Sequence, residues 1–82
     1  MENYESQYIT NEYITRTKAL GAFLREYRLQ CHLRQGDICE IGEISRSSVI
    51  RIETAQPVHF ITICKYATAL NLPLSQLFLE ID

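Results

Sequence analysis

The chain has 82 residues, of which 46% are hydrophobic and 22% charged, with only three Gly and two Pro; this composition fits one small ordered domain and excludes a disordered tail. Its apolar runs fall far short of the roughly 20 residues that a membrane span needs, and its acidic N-terminal residues lack the pattern of a secretory leader, so a cytoplasmic location without a membrane partner is expected. Net charge is −2, yet all eight Lys and Arg lie between Arg16 and Lys65 against five acids (Glu26, Asp37, Glu40, Glu43, Glu53), leaving a local excess of +3 that permits an anionic partner.

Residues 1–17 carry Tyr4, Tyr8, Ile9, Tyr13 and Ile14 among polar neighbours, and are expected either to extend the first helix or to form an arm. From Thr15 to Cys31 the residues Leu20, Phe23, Leu24, Tyr27 and Cys31 recur at three- and four-residue intervals, the spacing of one helical face. A second helix is predicted from Gln35 to Ile41, with Ile38 and Cys39 turned inward, Ile41 as a further candidate, and Gly42 marking its end. After a tight turn, Ser45 is a favoured N-cap whose hydroxyl can accept from the amide of Ser47 or Ser48, so a third helix should run from Arg46 to about Thr54 with Val49 and Ile52 inward.

Ala55, Gln56 and Pro57 form a connection, since proline supplies no amide to a continuing helix. A fourth helix is expected from near His59, burying Phe60, Ile63, Tyr66, Ala67 and Leu70 and stopping at Asn71, which tolerates a left-handed backbone. Leu74, Leu77 and Phe78, with Ile81 as a candidate, make a last helix that closes the core. Nothing alternates with period two over a useful length, so the expected body is all-α, with about five helices over residues 18–82. Cys31, Cys39 and Cys64 are odd in number and fit no Cys-x-x-Cys spacing, and His32 beside Cys31 lacks a second pair; reduced thiols are expected, with no metal and no cofactor.

The segment Leu20 to Glu53 resembles, without a gap, the helix-turn-helix of the Cro/repressor (Xre-type) family, and the resemblance continues through the stretch from Ile63 to Phe78. It implies a lambda-repressor-like DNA-binding fold, a double-stranded DNA partner, and regulation of transcription by a homodimer. Helices two and three must cross closely, and Cys39 stands where the family usually has alanine, behaving as a small hydrophobe. Gln35 falls where family members bond a DNA phosphate from the start of helix two. Arg46, Ser47 and Arg51 fall where the family touches base edges, with arginine suited to guanine O6 and N7.

Ser45 and Ser48 complete the polar start of helix three, Ile50 is apolar on an expected wet face and suits a thymine methyl, and Thr54 and Gln56 lie where the following loop approaches phosphate. Arg28 and Glu53 match positions that form an ion pair between helix one and the end of helix three.

The chain also departs from the pattern. Arg34 replaces the usual Ser or Thr cap of helix two, at an expected cost of about 1 kcal/mol. Glu43 stands where the turn normally has a left-handed glycine, and His32 replaces another frequent glycine. These changes keep open a second class of function, a protein-interaction module or antitoxin that binds a protein partner such as a toxin. No nucleophile and base, carboxylate pair or phosphate loop stands apart from these elements, so no catalytic residue is assigned and no enzyme is expected.

Overall fold

In the computed structural model the backbone of residues 4–81 and the side chains of residues 11–80 are described. Five α-helices follow one another: α1 Tyr4–Gln30, α2 Gln35–Gly42, α3 Arg46–Glu53, α4 Phe60–Ala69 and α5 Leu74–Ile81. The all-α class and the count of five agree with the sequence reading. The first helix starts at Tyr4 rather than Thr15, so the backbone follows the helical extension rather than an arm. At about 1.5 Å per residue its 27 residues span about 40 Å, which makes α1 the element that sets the 45 Å long axis of the molecule.

The core is formed by Leu24 of α1, Ile38 of α2, Val49 and Ile52 of α3, Tyr66 and Ala67 of α4, and Leu70, Leu72 and Leu77 beyond them. Each helix supplies one apolar face, and α1 and α4 are the walls against which the short helices pack. Leu20, Phe23, Tyr27, Cys39, Ile63 and Leu74 are half-buried around this centre. Four residues expected inside lie outside: Cys31, Ile41, Phe60 and Phe78 are exposed. Cys31 falls just past the end of α1, where helical spacing no longer sets its direction. The other three sit at the rims of apolar faces too wide for one core, and Phe60 and Phe78 stack on each other at 6.4 Å. The Ile81 side chain lies outside the described residues.

Helix ends and glycines divide their work in an unexpected way. His32, Glu43, Ala55 and Asn71 adopt positive φ of 60°, 56°, 62° and 55°, and no glycine does. After each of them the next amide turns back five residues: Leu33 to Arg28, Ile44 to Cys39, Gln56 to Arg51 and Leu72 to Ala67. This 6→1 bond is the closure of a Schellman motif, made here at all four helix ends by residues with a Cβ. Gly42 ends α2 as expected, and the left-handed residue that follows it is Glu43. A Cβ at Gly42 would lie 3.0 Å from the Lys65 carbonyl oxygen, so its place is fixed by the close approach of α2 to α4. Gly21 likewise lets α1 meet the end of α3, where a Cβ would collide with the Ile52 carbonyl oxygen.

Candidate nucleic-acid interface

The turn between α2 and α3 positions the candidate site. Ser45 caps α3 as expected: its hydroxyl accepts from the Ser48 amide at 3.1 Å. The same hydroxyl donates to Ser48 Oγ at 2.9 Å and lies 3.1 Å from Ser47 Oγ. The three serines thus form one hydroxyl cluster at the positive end of α3.

Burying Val49 and Ile52 sets the rotation of α3. With 100° per residue, Ser47 and Thr54 then lie at the middle of the opposite face, flanked by Ile50, Arg51 and Arg46. All five are exposed, Ile50 at 43%. Arg51 Nη1 lies 3.5 Å from the Pro57 carbonyl oxygen, at the outer limit of a hydrogen bond. Arg46 is not hydrogen-bonded within the chain among the described residues, and its guanidinium lies over Gly36. Thr54 is the C-cap of α3 and donates to the Ile50 carbonyl at 2.7 Å. Gln56 follows in the loop, exposed.

Behind this face stands a buried polar cluster centred on Glu53. Arg28 Nε donates to Glu53 Oε2 at 2.8 Å and Arg28 Nη2 to Oε1 at 3.1 Å, a bidentate pair whose side chains are 7% and 3% exposed. Arg28 Nη1 donates to the Leu33 carbonyl at 2.9 Å, tying the pair to the α1–α2 turn. Tyr66 donates its phenol proton to Glu53 Oε2, and Gln35 Nε2 donates to Oε1 at 3.1 Å. Every carboxylate lone-pair direction is then used.

Burial alone would raise the Glu53 carboxyl; hydrogen bonds from Arg28, Tyr66 and Gln35 outweigh it and hold the pKa below its ordinary value. The bond to Glu53 strengthens the charged form of Arg28 against its own desolvation. Burial, and then donation to Glu53, keeps the Tyr66 phenol protonated well above its usual range.

Gln35 therefore belongs to two regions at once. As the first residue of α2 it stands at a helix N-terminus, while one of its two amide hydrogens is held by Glu53. Arg34 offers no side-chain acceptor to cap α2. Instead Asp37 Oδ2 accepts the Arg34 amide at 2.7 Å, one half of a capping box, which offsets part of the expected cost. Asp37 also adds negative charge near the same helix end, and Glu40 joins it beside Arg34 and Arg46 in a shallow groove.

Residues not singled out from the sequence complete the picture. Helical spacing marks Tyr66 as core only, although a tyrosine on a buried face signals a hydroxyl that needs a partner. Pro57, His59 and Thr62 line a groove with Ser47, Ser48 and Arg51 along the outer face of α3; no spacing in the sequence marks them, since the loop alone brings them there. Cys31, Cys39 and Cys64 are free thiols.

Among the described residues no helix is long and apolar enough to cross a membrane. Residues 19–77 match the profile of a family described as helix-turn-helix domain, consistent with the Cro/repressor-type resemblance. A search of curated proteins found no match. The match supports DNA as the partner, and it spans most of the 82 residues, α2 and α3 included: the chain belongs to the helix-turn-helix domain family.

Proposed function

We propose that the protein is a sequence-specific double-stranded DNA-binding regulator of transcription, acting in the cytoplasm as a homodimer on a two-fold symmetric operator. The observation that carries this reading is the outer face of α3, where Arg46, Ser47, Ile50 and Arg51 stand exposed beside one another on a helix whose other side is locked into the core. Arginine forks suit guanine O6 and N7, serine can donate or accept, and Ile50 suits a thymine methyl. Gln35, Ser45, Ser48, Thr54 and Gln56 would hold the phosphates at the two ends of that face. Residues 18–82 form the binding unit in this reading and residues 1–17 its extension.

One recognition helix contacts too few base pairs for useful specificity, so two copies should place their α3 helices about 34 Å apart. The stacked Phe60 and Phe78, with Ile61 at 65% and Leu79 at 79% exposure, give the chain an apolar patch that supports self-association. The sequence points to terminal apolar residues for the interface: of these Tyr13 and Leu79 are exposed, while Tyr4, Tyr8, Ile9 and Ile81 have side chains outside the described residues.

The experiment is selection of bound sites from a random duplex pool. A single motif with two-fold symmetry is expected; no enrichment would refute the reading. A second reading, binding of a protein partner through the same face, is favoured by one observation: Asp37 and Glu40 share the groove of Arg34 and Arg46 and would oppose phosphate there.

A further inference from the structure

The outer face of α3 does not stop at Thr54. Beyond it a groove of about 360 Å³ opens between the N-terminal half of α1 and the α3–α4 loop, lined on the loop side by Thr54, Ala55, Gln56 and Pro57 and on the helix side by Ile14 and Lys18, among others. Pro57 also lines the groove that runs along α3, so the two depressions adjoin. The floor is apolar, through Ile14, Ala55 and Pro57, while Lys18, Thr54 and Gln56 bring polar groups. The lining includes one cation and no carboxylate. The nearest acid on that stretch of α1, Glu12, is paired with Arg16 at 3.5 Å.

We infer that this groove seats the sugar-phosphate backbone of duplex DNA leaving the recognition helix, with Lys18 as a phosphate contact. The inference rests on the DNA-binding reading above and extends the interface to α1. A deoxyribose presents an apolar face to Ile14 and Pro57, and the phosphate next to it meets the Lys18 ammonium and the side-chain amide of Gln56. The left-handed Ala55 is what turns the loop to make this wall: its φ of 62° lets the Gln56 amide close on the Arg51 carbonyl at 2.7 Å. A protein segment seated in the same groove would have no phosphate for Lys18 to neutralise, and salt dependence tells the two apart.

The test uses the full chain and a mixed-sequence 30-base-pair duplex, with affinity measured from 50 to 200 mM salt for the wild type, Lys18→Gln and Lys65→Gln. Both lysines are exposed, so both variants should fold, and each removes one positive charge. One phosphate contact contributes about 0.9 to the slope of log affinity against log salt. Lys18→Gln should lower the slope by that amount, so that its deficit against the wild type shrinks about three-fold over this range. Lys65→Gln should keep the wild-type slope. A Lys18→Gln slope equal to wild type, or equal slope changes in both variants, overturns the groove assignment while leaving DNA binding intact. A wild type that shows no salt-dependent binding to any duplex overturns the DNA-binding reading and this inference with it.

Discussion

Two polar regions meet on α3, one buried at its C-terminal end and one exposed along its outer face, and they differ in whether their hydrogen bonds are already made. Around Glu53 the donors of Arg28, Gln35 and Tyr66 converge on one buried carboxylate. On the solvent side, Arg46 and Arg51 are exposed, and among the described residues the one hydrogen bond made by either guanidinium is the long contact of Arg51 with Pro57. The first region spends its polar groups on joining α1, α2, α3 and α4, whereas the second holds them for something outside the chain. Residues of similar chemistry therefore have opposite consequences: loss inside should cost folding, and loss outside should cost recognition.

The largest effect expected is on the inside. Glu53→Ala leaves the Arg28 guanidinium buried without its partner, which should cost about 3–5 kcal/mol; the midpoint of urea unfolding measures it. In a chain of this size such a loss approaches the whole stability. A cost below about 1 kcal/mol would mean that the cluster does not hold the helices together.

Tyr66→Phe is the gentler form of the same test, because it keeps the ring and removes one donor to a charged group. A loss of about 1–3 kcal/mol is expected in the same unfolding assay. Acid supplies a further handle. Because the folded pKa of Glu53 is depressed, its contribution is present above the unfolded value and is lost as pH falls through the folded one. The stability gap between wild type and Glu53→Gln should accordingly be widest near neutrality and narrow on acidification below the ordinary carboxylate range.

The smallest effect is a gain. Glu43 holds a left-handed conformation at φ 56° with an exposed side chain. Glu43→Gly should stabilise the fold by about 0.5–1 kcal/mol, since relief of the Cβ clash exceeds the added chain entropy. It also removes a carboxylate from the candidate DNA side, so affinity for a duplex should not fall.

The helices were legible because their apolar spacing was regular and their caps were local. Ser45 announces α3, and Val49 with Ile52 fixes which side of it faces out. The Arg28–Glu53 pair was legible only through the family resemblance. Periodicity places both residues without revealing that they meet across 25 positions.

Tyr66 and Gln35 joining the same carboxylate depends on how four helices dock, which no local pattern encodes. Gly42 was legible as the end of α2 but not as a packing residue, because its close approach to the Lys65 carbonyl of α4 depends on how the two helices dock. Periodicity leaves open whether residues 1–17 extend α1 or form an arm because the apolar face thins out before Leu20, although nothing in residues 4–14 breaks a helix.

The account stands or falls on whether the outer face of α3 reads bases. The direct measurement is the ratio of affinities for a selected cognate duplex and a scrambled one, at matched ionic strength, for the wild type, Gln35→Ala, Arg46→Ala and Arg51→Ala. Phosphate contacts set affinity and base contacts set preference. Gln35→Ala should weaken both duplexes alike and keep the ratio. Each arginine substitution should reduce the ratio by roughly 1–3 kcal/mol equivalent, about five- to 150-fold. A ratio unchanged by both arginine variants would contradict base reading by this face.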